Sequence, residues 1–348
     1  MTSGYFSANY RQEIQWFRTV WLKLWMGIFI SFLLVIPWIT SSHILFALNL
    51  CGIGIIGALG LNILTGYTGQ LSIAHGAFVG IGAYTAGILA LRLGIPFWLA
   101  IPAGGILAAI NGLLLGFPSL RLRGLYLIMS TMAFQIIMNH VFGNWKSMTN
   151  GHQGLTIPHL HVLGFEFKSD ASFYYLILFV VILGTVFAAN LMRSRIGRAF
   201  MAIRDRDLAV RVMGIDMTKY KLISFALSSF YAGISGGIYA FYLCQINPEH
   251  FTITVSIQYI AMIIIGGLGS ITGTIYGVLF VTLVPDLIMR PILEALGGAL
   301  GISGDIYYQV KNAFFGLIIV ICLIVEPKGL HGLWERTKAF FKTWPYTY

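Results

Sequence analysis

From Leu24 to Leu91 the chain carries no Asp, Glu, Lys or Arg, and apolar runs of similar character recur as far as Val325, parted by short polar stretches. A run of about 18 apolar residues crosses the ~30 Å hydrocarbon core as a helix, so this pattern predicts an all-α, polytopic transmembrane bundle. The candidate spans are an uncleaved first segment after Lys23, then His43 to Leu64, Gly76 to Leu91, Ile95 to Phe117, Gly124 to Phe142, Phe173 to Leu191, Leu222 to Leu243 and Tyr307 to Val325. Ser256 to Ile288 is too long for one crossing at about 1.5 Å per residue. Gly266, Gly267, Gly269 and Gly273 interrupt it, which predicts two segments turning at those glycines. About ten membrane segments result, several of them Gly-broken. Residues 1–23 are then a basic tail, 24–325 the membrane domain and 326–348 a second tail.

Composition agrees with the pattern. Only 10% of the residues are charged and mean hydropathy is +0.82, against roughly 25% charged in a soluble domain, which excludes a soluble enzyme. The net charge of +10 points to nucleic acid only if it forms a patch on a soluble face, and it does not. With a cytoplasmic N-terminus, alternate crossings place 17 of the 22 basic residues and six of the 12 acids on the cytoplasmic side. The excess of Lys and Arg fixes orientation, putting both termini in the cytoplasm. Cys51, Cys244 and Cys322 are too scattered for a disulfide framework or a zinc site. Two connecting segments are long enough to be functional, an outer loop over 144–172 and an inner loop over 192–221.

Candidate chemistry begins with the block Asn62 to Tyr84, uncharged and Gly-rich, in which Thr65, Thr68, Gln70, Ser72 and His75 sit between two apolar runs. Polar groups at membrane depth are costly unless they face protein or water. Thr65, Gly66, Gly69, Gln70, Ser72 and His75 can therefore line a path for a small polar solute. They can equally serve close helix packing, as the Gly76-x-x-x-Gly80 spacing allows. A second break, with Gly266, Gly269 and Ser270, lies in the other half of the chain. Paired interruptions point to a transport site. The echo of Gly66-x-x-Gly69 in Gly266-x-x-Gly269 is nevertheless a pattern that chance supplies in a chain with 40 glycines.

The inner loop predicts a short amphipathic helix from Asp205, as its cap, to Met213, closed by Gly214. Asp207 and Arg211 stand at i and i+4, with the acid first. Leu208, Ala209, Val212 and Met213 gather on one side, Arg206, Asp207 and Arg211 on another. Such a helix rests on the inner leaflet or docks in a groove on a soluble partner. Enzyme readings find little support. Gly-Ile-Ser-Gly occurs at 233–236 and 301–304, but the histidines after Ser235, His250 and His331, fall outside the spans. His152, His159 and His161 lack companions at ligand spacing, so no metal is expected. No nucleotide-binding loop of the G-x-x-x-x-G-K-[ST] type occurs, so any ATP must be bound by another subunit.

Thr65-Gly-Tyr-Thr-Gly-Gln-Leu-Ser-Ile-Ala-His-Gly-Ala-Phe-Val-Gly-Ile-Gly-Ala-Tyr84, the loop from Gly197-Arg-Ala-Phe to Gly214-Ile215, Ile246-Asn-Pro248, Ile265-Gly-Gly-Leu-Gly-Ser-Ile-Thr-Gly273 and Glu326-Pro-Lys-Gly-Leu330 occur in this order. Together they resemble the M-type permease of branched-chain amino-acid (Liv) ABC importers, over residues from about 44 to 331. The resemblance implies a plasma (inner) membrane permease paired with a second, H-type permease, two cytoplasmic ABC ATPases and an extracytoplasmic solute-binding protein, with no cofactor of its own. It implies that the loop from Gly197 to Asp216 couples to the ATPase, through Gly197, Arg198, Arg204, Asp205, Asp207, Ala209, Arg211 and Gly214. Asp207-Leu-Ala209 stands where the family more often has Glu-Ala-Ala, which leaves the acidic contact open between Asp205 and Asp207. Relatives of this kind carry leucine, isoleucine and valine, and others carry urea or short amides. A stand-alone channel or carrier is the remaining alternative.

Overall fold

In a computed structural model, the described residues are 20–284, apart from 123, 158–160, 163–164, 167–168, 207–209 and 211, and 316–343, apart from 318–319, 321–323 and 325–328. The expected last span, Tyr307 to Val325, and most of the first 23 residues lie largely or wholly outside them.

The fold is an all-α bundle. Its helices are α1 (Val20–Ile39), α2 (Ser42–Leu61), α3 (His75–Leu93), α4 (Phe97–Ser119), α5 (Leu125–Asn144), α6 (Asp170–Arg193), α7 (Arg195–Asp205), α8 (Met217–Leu243), α9 (Ile253–Gly266), α10 (Ile271–Val284) and α11 (Gly329–Thr343), with a single further turn over Lys146–Thr149. Seven of the described helices are long and apolar enough to cross a membrane. Their limits fall within a few residues of the apolar runs, because desolvation of the backbone leaves helix as the only way to pair every peptide group inside lipid.

Outward-facing leucines, isoleucines and aromatics, among them Trp38 and Ile39 on α1, Leu114 and Phe117 on α4 and Phe179 on α6, form the apolar exterior. The interior is built around α8, which packs on α2, α3 and α4. Lipid offers helices no hydrophobic reason to associate, so close backbone approach and dispersion must do it. Here α3, α4 and α8 meet at glycine: a Cβ on Gly82 would stand 2.1 Å from the Gly233 carbonyl oxygen, and one on Gly236 1.9 Å from that of Val79. Neither position accepts a side chain without separating the helices.

α1 is held differently. Pro37 has no N–H, which strips the Leu33 carbonyl of its helical donor. Tyr174 of α6 donates to that carbonyl at 3.0 Å, and Tyr175 to the next one, Leu34, at 3.1 Å. Two adjacent tyrosine hydroxyls thus pin a peripheral helix at its proline.

Segments assigned to alternate sides from charge alone gather at opposite ends of the bundle. At one end the strand pair Leu155↔Ile246 lies near Gly87, and Asn49 donates to the Asp170 carbonyl at 3.0 Å. At the other end the 62–70 break, the Arg-rich segment, the 266–273 turn and α11 come together, the last through His331 Nδ1 and Thr272 Oγ1 at 3.2 Å. The second Gly-broken run does fold as two helices, α9 and α10. Gly267 (φ +120°) and Gly269 (φ +77°) take backbone angles that side chains resist.

One local expectation is corrected. The helix expected toward Met213 is helical at its described residues Val210 and Val212, and Val210 N–H donates to the Arg206 carbonyl at 3.4 Å, but Asp205 is not its cap: it is the last residue of α7, and Arg206 after it is extended. The start signal that operates is Ser194, whose Oγ accepts from the N–H groups of Ile196 and Gly197. Ala199, Phe200 and Ile203 then form the buried stripe of α7. Gly214 is at φ +73°, as a helix-ending glycine requires, and Ile215 N–H donates to the Val210 carbonyl at 3.3 Å across it. Asp207, Leu208, Ala209 and Arg211 lie outside the described residues. Asp216 caps α8 through Thr218 and Lys219.

Candidate functional site

α2 does not simply stop. Its last residues widen into a π-helical turn, Asn62–Tyr67, and the chain then runs back into the protein as a non-helical stretch before α3 begins at His75. The His75 ring packs on Tyr259, whose own ring lies against Gly57 of α2. Gly57 precedes Tyr67 by about ten residues, or ~15 Å of helix, so α3 starts deep inside the bundle. A helix N-terminus at that depth leaves N–H groups that water cannot reach. Neighbouring helices supply acceptors instead: Ser256 Oγ of α9 takes Gly76 N–H at 2.7 Å, and Gln135 Oε1 of α5 takes Ala77 N–H at 2.7 Å. Thr131 Oγ1 accepts from Ile73 N–H at 3.1 Å.

The other polar residues of the block are as well placed. Thr65 donates to the Gln70 carbonyl and Thr68 to that of Ile63, which folds the break back on itself at Gly69 (φ +74°). Gln70 Nε2 donates to Ser224 Oγ of α8 at 2.8 Å. Ser72 accepts from Ala74 N–H, and His75 meets the ring of Tyr259 edge-on at 4.8 Å. All five polar candidates, Thr65, Thr68, Gln70, Ser72 and His75, are buried. With Ser224, Thr131, Gln135 and Ser256 they satisfy one another and the backbone of the break and of the first turn of α3.

The two glycine breaks, about 200 residues apart in sequence, touch. Asn62 joins them: its Oδ1 accepts from Gly269 N–H at 2.9 Å, while Nδ2 donates to the Ser270 carbonyl at 3.1 Å and to Thr274 Oγ1 at 2.8 Å. Gly66 lies so close that a Cβ there would stand 2.6 Å from Gly269 N. Above this contact sits α7. Arg204 Nη1 donates to the Gly66 carbonyl, whereas Arg198 Nη1 turns away to the Arg193 carbonyl at 3.0 Å. Gly197 lies against the backbone of Leu191 and Met192, which fixes α7 to the end of α6. Asp205 is exposed.

Beyond α7, Val210 is buried against Ile203 and Met217, but Val212 and Met213 are 90% and 73% exposed. Asn62, Gln135, Ser224, Ser256 and Thr274 were not singled out by the sequence, though an amide inside an uncharged apolar run is a signal for Asn62 and Gln135. Ser235 is buried and donates to the Ile53 carbonyl at 2.9 Å. Among the described residues no three His, Cys, Asp or Glu gather as metal ligands.

A bundle with seven described helices long and apolar enough to cross a membrane, and with two glycine-broken elements meeting under an Arg-rich helix, defines an integral multi-pass membrane protein. The family described as the permease component of the branched-chain amino acid transport system matches residues 43–323, and the chain belongs to it. It is 32% identical over 336 residues to the high-affinity branched-chain amino acid transport system permease protein LivM of Escherichia coli K12, covering 90% of this chain and 75% of that protein. It is also 27% identical over 295 residues to a probable LivH permease of Methanocaldococcus jannaschii, covering 82% and 91%, and 24% identical over 305 residues to LivH of Escherichia coli K12, covering 81% and 92%. No solved structure matches.

Proposed function

We propose that the chain is the M-type permease of an ATP-binding-cassette importer for leucine, isoleucine and valine. The observation that carries this reading is the match to the permease family over nearly the whole membrane domain, with the highest identity quoted above to an M-type branched-chain permease. In this reading the solute passes along the polar groups from Gln70 to His75, and Thr65, Gly66, Gly69, Gly266, Gly269 and Ser270 form its cytoplasmic mouth. Backbone and amide groups without a fixed charge suit a zwitterion, which a lone charge would trap. The partners are an H-type permease, two cytoplasmic ATPases and an extracytoplasmic binding protein, in the inner membrane.

The cytoplasmic face is the α7 end, where the basic residues gather. A reporter active only in the cytoplasm is expected to work when fused after Phe200 and to be silent after Gly154; the reverse pattern overturns this orientation. Substrate class is tested by competition. Uptake of labelled leucine by cells expressing the system is expected to fall with excess isoleucine or valine and not with urea or acetamide. Competition by urea alone gives the transporter to the amide-carrying branch.

A further inference from the structure

Arg204 is the only basic side chain of α7 seen to reach into the bundle among the described hydrogen bonds, and it reaches one place: the meeting point of the two breaks. The carbonyls of the last turn of a helix lack helical donors, and that end carries partial negative charge. Gly66 belongs to such a turn, since the chain leaves the helix after Tyr67. The Arg204 guanidinium caps it. The same side chain fills the notch on both sides. Its Cγ lies 3.4 Å from where a Cβ on Gly69 would stand, and its Nη1 lies 2.5 Å from where a Cβ on Gly269 would stand. Gly69 and Gly269 are both at positive φ, so the notch is shaped by backbone that other residues adopt only under strain.

The position of Arg204 along the chain matters as much as its contacts. It is the penultimate residue of α7, followed by extended Arg206 and then by the segment that exposes Val212 and Met213. Force applied to that segment by a soluble partner reaches the bundle at its two ends, the start of α8 at Met217 and the end of α7, and Val210 is buried between them against Met217 and Ile203. At the α7 end Ile203 packs on Met217 of α8, while Arg204 reaches Gly66, Gly69 and Gly269.

We propose that Arg204 is a positioning residue that clamps the two glycine breaks together beside the Asn62 bridge, so that movement of the end of α7 opens or closes the cytoplasmic mouth. This rests on the reading of the chain as an ATP-driven permease. The clamp is reversible because its bonds are to backbone carbonyl and its fit is to bare glycine. A lever that withdraws Arg204 leaves the Asn62 bridge to hold the mouth alone.

The test uses the complete transporter in proteoliposomes, with wild-type, Arg204→Ala, Arg204→Lys and Gly269→Ala permeases, and reads leucine imported per ATP hydrolysed. With Arg204→Ala that ratio is expected to fall about tenfold, the scale of one charge-assisted hydrogen bond. Lysine, which keeps one donor for the Gly66 carbonyl, is expected to recover part of it. Gly269→Ala crowds the same notch from the opposite side and is expected to lower the ratio with Arg204 intact. A ratio unchanged in Arg204→Ala, or hydrolysis and uptake falling together with loss of assembled complex in both Arg204 variants, overturns the clamp. If wild-type transporter imports no leucine on ATP addition, the underlying reading fails instead.

Discussion

ATP-driven uptake is expected to fall a hundredfold or more when Val212 and Met213 are both replaced by aspartate, with the permease still present in the membrane at its normal abundance. Both side chains are almost fully exposed, at 90% and 73%, on the segment that follows α7. Substitutions at exposed sites change stability by only about ±0.5 kcal/mol, so the fold has no reason to respond. A groove on an ATPase that buries the two side chains gains roughly 1.5–3 kcal/mol from each. Losing both, and asking the groove to desolvate two carboxylates instead, costs well over the ~1.4 kcal/mol that separates each tenfold in affinity. Co-purification of the ATPase with tagged permease is the direct readout. Recovery of the ATPase at wild-type yield would show that this segment rests at the membrane surface and that energy enters elsewhere.

The second large effect is expected at Asn62, where replacement by leucine should lower the amount of folded permease severalfold. The amide is fully buried and makes three hydrogen bonds, to Gly269 N–H, the Ser270 carbonyl and Thr274 Oγ1. A buried polar group left without its partner costs about 1–3 kcal/mol, and leucine strands the Gly269 N–H, while the Ser270 carbonyl and the Thr274 hydroxyl keep the bond between them. Set against a total stability of roughly 5–15 kcal/mol, that is enough to shift steady-state abundance severalfold or more. Thr274→Val breaks one bond of the three and leaves the Gly269 and Ser270 bridges, so its loss should be much smaller. Quantitative blots of membranes, with heating before detergent extraction, separate the two. Wild-type abundance in the leucine variant would mean that the two breaks do not depend on this bridge.

What was legible in the sequence follows from how local each cause is. The spans were readable because burial in lipid forces helix onto any long apolar run, and the turn between α9 and α10 was readable because Gly267 and Gly269 are needed at positive φ. The Asn62 bridge was not, since nothing in the residues around 62 names a partner near 269. α7 itself was not anticipated, for a subtler reason. Asp205 and Ser194 are both good caps, and the apolar residues after Asp205 compete as a pattern with the stripe Ile196, Ala199, Phe200, Ile203, which has the i, i+3, i+4, i+7 spacing of a helix face. Buried Ser256 and Gln135 act as caps for another helix, which only the packing reveals. Of the path candidates, the sequence marked the polar residues of the break itself. It could not mark Thr131, Ser224 and Ser256 on α5, α8 and α9, because a single Ser or Thr in a membrane helix is commonplace and its partner is set by helix arrangement.

The most direct measurement is import into proteoliposomes holding this chain with its H-type partner and two ATPases, with leucine-loaded binding protein on one side and ATP on the α7 side. Leucine is expected to accumulate against its gradient only when ATP and all the subunits are present, and to stop when ATP is replaced by a non-hydrolysable analogue. Leucine entering vesicles that contain this chain alone, without any ATPase, would contradict the account.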